Sequence, residues 1–226
     1  MLPPVSRQTP AGLLADRRTS LLPPSLHPDV NPYRHPMKIL TLNGSLRARS
    51  SNGAVLRSAL ALTDATSATA DIAALPHFHP DQDAEGATPP APVAALRRTV
   101  ADADAVLIVS PEYAHGVPGV LKNALDWLVS SADLLDKPTA VLTASPSPTG
   151  AAYAHGQLRE TLRTMSAAVI PDACRDFTAI GPKTDPATGT VTDPATLQDL
   201  RTALTALTTA AATPNTRSTA SRSSPS

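Results

Sequence analysis

Two short stretches of this chain hold residues whose types and spacing could do chemistry. The first is Asn43-Gly44-Ser45-Leu46-Arg47, with Ser51 and Asn52 close behind. The hydroxyls of Ser45 and Ser51, the Asn52 amide and the Arg47 guanidinium form a donor-rich set. Neutral donors beside an arginine fork suit phosphate oxygens. If a helix starts at Asn52, its first amides and its dipole favour an anion there, worth about 0.3–1 kcal/mol for a surface charge. The second stretch, Ser110-Pro111-Glu112-Tyr113-Ala114-His115-Gly116-Val117-Pro118-Gly119, is dense in turn formers. Pro111 and Gly116 would shape its backbone, and Tyr113 supplies an apolar face with a hydroxyl handle. Glu112 fits two roles equally, a binding residue or a structural carboxylate bonded to backbone or paired across a subunit contact. His115 reads first as a surface or packing residue and only second as an acid.

These stretches need a scaffold that brings them together. Ala105-Val106-Leu107-Ile108-Val109 is a continuous apolar run of strand length, as expected for the centre of a parallel sheet covered on both faces. Lys38 to Leu42 is the first strand, and Asn52 to about Leu62 a helix with Val55, Leu56, Ala59 and Leu60 inward. Ala70 to Ala73 is a weak second strand. Residues 74–92, with five prolines and the acidic Asp81, Asp83 and Glu85, form a long loop, a type often functional or interfacial. A helix from Val93 to about Ala101 leads into the central strand. Pro118 opens the next helix, and Thr139 to Thr143 is a fourth strand. The loop Ser145-Pro146-Ser147-Pro148-Thr149-Gly150 follows it, and a helix runs from about Ala151 to Ser166. A fifth strand falls between Ala167 and Ile180. Asp193-Pro194 caps a last helix with Leu197, Leu200, Leu204 and Leu207 inward. Alternating strands and helices argue for a parallel α/β sheet with helices on both faces.

Composition narrows the function. The chain has 226 residues, enough for one sizeable domain. Nineteen basic and nineteen acidic residues balance, which gives no electrostatic case for nucleic acid or an anionic membrane. One cysteine excludes an internal disulfide and a multi-cysteine metal site. No apolar run approaches the roughly 20 residues that span a bilayer. Residues 1–36, with eight of the 24 prolines, read as a disordered extension. Arg17-Arg18 is followed by no apolar signal core, so export is not expected. Met37 stands directly before the first strand and is a candidate start. Residues 37–210 form the domain, and 211–226 read as a disordered tail. No Walker pattern, Gly-x-Gly-x-x-Gly or nucleophile elbow occurs; a monophosphate suits side-chain capture better than a nucleoside triphosphate does.

The order Pro-Glu-Tyr, Gly, Pro-Gly, Leu-Lys-Asn-Ala-Leu-Asp-Trp over residues 111–127, with the Asn43–Asn52 element before it, resembles the NADPH-dependent FMN reductase family. That family includes bacterial quinone, chromate and azo-dye reductases. The resemblance covers roughly residues 37–210 and implies a flavodoxin-like, five-stranded parallel sheet of order 2-1-3-4-5. Its switch point lies between the first and third strands, where both motif loops converge. It further implies an oxidoreductase and flavoprotein, which the lack of a bilayer-length apolar run or signal core leads us to expect in the cytoplasm. Hydride would pass from NADPH, with NADH as the alternative donor, to FMN N5. Electrons would go on by ping-pong to a quinone, azo, metal-oxyanion or flavin acceptor. The site it implies comprises Ser45, Arg47, Ser51 and Asn52 at the phosphate, Pro111, Glu112, Tyr113, His115 and Gly116 along the flavin ring, and Ser145 opposite. N–H groups left free around Pro111 and Gly116 would meet the polar edge of the ring. The cofactor carries the redox chemistry, so no catalytic side chain and no metal ligand is assigned. Pro146 and Pro148 depart from the glycine-rich pattern and remove N–H donors from the third loop. Lys122, Asn123, Asp126 and Trp127 read as helix packing and subunit contacts. The implied assembly is a homodimer or tetramer. The alternatives are a reductase that feeds reduced FMN to a monooxygenase, a flavodoxin-like electron carrier, and a flavin-free interaction protein.

Overall fold

Every residue of Ala105–Ser110 (β3) is buried, as a strand covered on both faces requires. The computed structural model describes residues 36–213. The extension expected before the first strand lies outside the described residues save for Pro36, as does the tail from residue 214 onward.

The sheet is built from Lys38–Asn43 (β1), Thr66–Thr69 (β2), β3, Pro138–Ala144 (β4) and Ala168–Val169 (β5) in the order β2-β1-β3-β4-β5, all parallel. This is the flavodoxin-like order. Two differences from the sequence reading have physical causes. β2 lies at Thr66–Thr69 rather than 70–73, because this edge strand is short, polar and mostly exposed. Ile72 instead buries its side chain from a 3₁₀ turn, Ile72–Ala74. The fifth position is split. β5 pairs with Pro138 and Thr139, whereas Arg175–Phe177 (β6) pairs with Leu142–Ala144. Between them Pro171 opens a 3₁₀ turn, and a proline without an N–H cannot continue the ladder.

Strand alternation sorts the core into two clusters. Ile39, Leu107, Val109 and Leu142 meet Val55, Leu56 and Ala59 of the helix Ser51–Leu60 (α1), together with Leu200, Leu204 and Leu207 of the C-terminal helix. On the opposite face Leu40, Leu42, Ile108 and Val141 meet Ala91–Ala101 (α2), Gly119–Asp126 (α3) and Ala152–Thr164 (α4). Pro118 is the cap residue before α3 rather than its first residue, a boundary shift of the usual size. The C-terminal helix Pro194–Ala212 (α5) is capped by Asp193, whose carboxylate accepts the Thr196 N–H at 2.8 Å. It outruns its compositional limit because Leu207 is fully buried and Ala211 packs on the same cluster. A two-stranded hairpin, Thr184–Asp185 (β7) with Thr190–Val191 (β8), is clasped to α1 by Arg57, whose Nη2 donates to Gly189 O at 2.7 Å.

The long 74–92 loop is fastened down. Asn123 donates to Pro76 O at 2.9 Å and accepts from Phe78 N at 2.7 Å. Trp127 donates its Nε1–H to the same Pro76 carbonyl at 2.9 Å, and Phe78 meets its ring edge-on. Arg97 bridges Asp83 and the Trp127 carbonyl. Burial alone would raise the Asp83 carboxyl, but the bonds from Arg97 and Ser130 outweigh it and hold the group below its ordinary value. Asn123 and Trp127 of the motif therefore fix this loop.

Candidate functional site

Asn43 at the end of β1 pairs with Val109 near the end of β3, so the loops that follow must meet. They do so at Gly44, whose N–H donates to Val109 O at 2.8 Å. A Cβ here would stand 3.0 Å from Ser110 Oγ and 3.1 Å from Leu121 Cδ2. Glycine suits this close approach, where a Cβ would press on both side chains.

Loop 1 turns at Asn43, whose Oδ1 accepts the Ser45 N–H at 3.0 Å. The α1 cap is Ser50, which the sequence reading passed over; its Oγ takes the Gly53 N–H at 2.9 Å, and its carbonyl takes Ala54 N–H at 3.0 Å. The Ser51 and Asn52 amides at the helix tip have no acceptor among the described residues. Ser45 is buried and Arg47 exposed; neither side chain, nor that of Ser51, bonds to another described residue. This donor set fits a phosphate. Asn52 is placed differently. It is 3% exposed, and its amide donates to Ala144 O at 3.0 Å while accepting Ala144 N–H at 3.2 Å. Its side chain thereby locks α1 to the end of β4.

Loop 2 closes on itself. Tyr113 and Gly116 exchange N–H···O bonds of 3.0 and 2.9 Å, with Ala114 at φ 49° and His115 at φ 57° between them. Positive φ at both central positions marks a type I′ turn, and two non-glycine residues there cost about 1–3 kcal/mol each. The Gly116 N–H therefore closes the turn and is not free for a ligand, a correction to the sequence reading. The Glu112, Ala114 and His115 amides have no acceptor among the described residues. Glu112 Oε2 accepts the Ala154 N–H in the first turn of α4 at 2.9 Å, and its Oε1 lies 3.1 Å from His115 Nδ1. Gln157 donates to the His115 carbonyl at 3.2 Å, and the His115 ring meets Tyr153 edge-on at 4.5 Å. Tyr113 stays 56% exposed, and the Pro111 carbonyl accepts the Ser110 hydroxyl at 2.9 Å.

Loop 3 has its N–H groups bonded within itself and to β6. Ser145 N–H donates to Phe177 O, Ser147 N–H to Ser145 Oγ, Thr149 N–H to Ser147 Oγ and Gly150 N–H to Ser147 O. Ala151 N–H donates to both Asp176 oxygens, at 3.1 and 3.0 Å. With Pro146 and Pro148 lacking N–H, no backbone donor over residues 145–151 remains without a partner. Gly150 has φ 75°, and a Cβ there would run into the Asp176 carboxylate. Asp176 also accepts from Thr143 Oγ1 at 2.8 Å; since that hydroxyl proton is engaged, His155 donates its Nδ1–H to Thr143 at 3.1 Å. Burial, helped by Arg159 and opposed by Asp176, lowers the pKa of His155. Neither Asp176 nor His155 carries a local sequence signal, because both act across elements.

The sequence profile described as NADPH-dependent FMN reductase matches residues 37–177. A quinone reductase of Escherichia coli K12 is 40% identical over 176 residues, covering 75% of this chain and 93% of that protein. An NAD(P)H-dependent FMN reductase of Pseudomonas aeruginosa is 40% identical over 130 residues, covering 56% of this chain and 69% of that protein. Among solved structures, a flavoenzyme NAD(P)H:(acceptor) oxidoreductase of Paracoccus denitrificans superposes with a TM-score of 0.67 at 28% identity, covering 77% of this chain and 97% of the other. With an open donor set at the tip of α1 and the two motif loops meeting at Gly44, these relatives show that the chain is an NAD(P)H-dependent flavoprotein oxidoreductase and belongs to the NADPH-dependent FMN reductase family.

Proposed function

We propose that this protein moves hydride from NADPH, or from NADH, through FMN to a small-molecule acceptor of the quinone class. The observation that carries this reading is the junction at Gly44, where two loops with unpartnered donors abut. Ser45, Arg47 and Ser51, with the Ser51 and Asn52 amides, take the phosphate. The backbone from Pro111 to His115 lies along the ring, Tyr113 flanks it, and Glu112 and Gly116 fix that backbone. Ser145 contributes its hydroxyl alone. FMN, when bound, supplies the redox chemistry, and the protein's main service is to hold donor and acceptor in turn at about 3–3.5 Å from it. The quinone class is favoured by the Escherichia coli relative's name; azo, metal-oxyanion and flavin acceptors remain in the same range.

We further assign a homodimer or tetramer, paired through the face where Val129 and Leu135, 60% and 57% exposed, flank a groove of about 430 Å³. Exposed apolar surface of this kind marks association, and sedimentation at micromolar concentration tests it. A cytoplasmic location accords with no described helix being long and apolar enough to cross a membrane.

The residue assignment is tested by titrating FMN into the wild type and Arg47→Ala. Loss of a charge-assisted bond predicts about tenfold weaker binding or more, tenfold being 1.4 kcal/mol. Equal affinities would remove Arg47 from the site.

A further inference from the structure

His115 is 76% exposed at its side chain, yet it is held at four points. The strained turn fixes its backbone, Gln157 holds its carbonyl, Tyr153 abuts its ring, and Glu112 engages Nδ1. An exposed histidine without a task has no need of such restraint. Glu112 is itself 14% exposed and anchored by the Ala154 N–H, so it cannot swing away to follow the imidazole. The remaining ring atom, Nε2, has no partner among the described residues. A carboxylate that orients a histidine and leaves its other nitrogen open is the arrangement of an acid–base group. The titratable groups in contact with the ring are Glu112 from its own loop and Tyr153 from α4.

We propose that His115 is the proton donor to the acceptor in the second half of the reaction. This rests on the quinone-reductase reading above. A quinone becomes a hydroquinone by gaining two electrons and two protons. A hydride from reduced flavin brings both electrons and one proton, so one oxygen still needs a proton. The His115 imidazolium supplies it: the Nε2–H bond breaks, an O–H bond forms on the acceptor, and neutral imidazole remains with Nδ1–H on Glu112. Solvent reprotonates Nε2 through the exposed side of the ring. Hydride transfer from the nicotinamide to the flavin does not call on this proton.

The test reduces the FMN-loaded protein with dithionite, which bypasses the nicotinamide, and follows reoxidation by benzoquinone or by ferricyanide, a one-electron acceptor that takes no proton. His115→Asn is the variant, because asparagine tolerates the left-handed backbone at this position. The benzoquinone-to-ferricyanide rate ratio should fall about 100-fold or more, the lower range for a general acid. Added imidazole should restore part of it. Glu112→Gln, which keeps an acceptor for Ala154 N–H, should lower the same ratio by a smaller factor. An unchanged ratio in His115→Asn, or equal slowing with both acceptors, overturns the proposal. Failure of wild-type flavin to accept electrons from NADPH would instead strike the parent reading and leave this ratio measurable.

Discussion

The Glu112 carboxylate accepts the backbone N–H of Ala154 at 2.9 Å across 42 residues of sequence. Helix α4 has no side-chain cap of its own. Its N-terminus is instead satisfied by two carboxylates from elsewhere, Glu112 from loop 2 and Asp176 from β6. A negative group at a helix N-terminus is favourable. Here the same bonds fasten loop 2 and β6 to one helix.

Removing Glu112 should therefore unfasten loop 2. Glu112→Ala is expected to lower stability by about 0.5–2 kcal/mol, the range for loss of a helix cap, and to weaken FMN binding. Glu112→Gln should recover most of the stability. Thermal unfolding and FMN titration of both variants check this.

Asn52 is the buried lock between α1 and β4. Asn52→Ala leaves the Ala144 N–H and C=O without their partner, and an unsatisfied buried polar group costs about 1–3 kcal/mol. Urea denaturation should show that loss as a lower midpoint. A midpoint equal to that of the wild type would show that water replaces the amide at no cost.

Gly44→Ala places a methyl 3.0 Å from Ser110 Oγ and 3.1 Å from Leu121. The Ser110 and Leu121 side chains must then give by a few tenths of an ångström, at an overpacking cost of up to about 1–3 kcal/mol, and FMN affinity should fall with stability. Calorimetry and FMN titration of one preparation read both.

Acid sensitivity should trace in part to His155. Burial, with Arg159, lowers its folded pKa below the ordinary value of 6.5, so in that window the unfolded chain binds more protons than the folded one. This contribution to stability is complete above about pH 6.5 and declines as pH falls towards the folded pKa. Unfolding midpoints measured from pH 7.5 to pH 5 should show the decline, and His155→Gln should flatten it.

Much of this could be read from residue patterns, and the exceptions have separate physical causes. The apolar run of β3, the Asp193 cap and the two motif loops are local signals. β2 hid because Thr66–Thr69 is a polar edge strand, and the fifth position because Pro171 breaks its ladder. Ser50 as the cap is local but competes with its neighbour Ser51. Asn52 on Ala144, Glu112 on Ala154 and Asp176 on Ala151 span 92, 42 and 25 residues. No spacing rule announces such pairs, and they decide which of the candidate residues hold the scaffold.

The central claim is that these loops bind FMN and allow its reduction by a nicotinamide. Its most direct test mixes the FMN-loaded protein with NADPH, and in parallel NADH, under anaerobic conditions while the bound-flavin absorbance is followed. Rapid bleaching of the flavin bands is the expected result, with the faster nucleotide identifying the preferred donor. Bound flavin that keeps its colour with both, or a protein that takes up no FMN, would contradict the account.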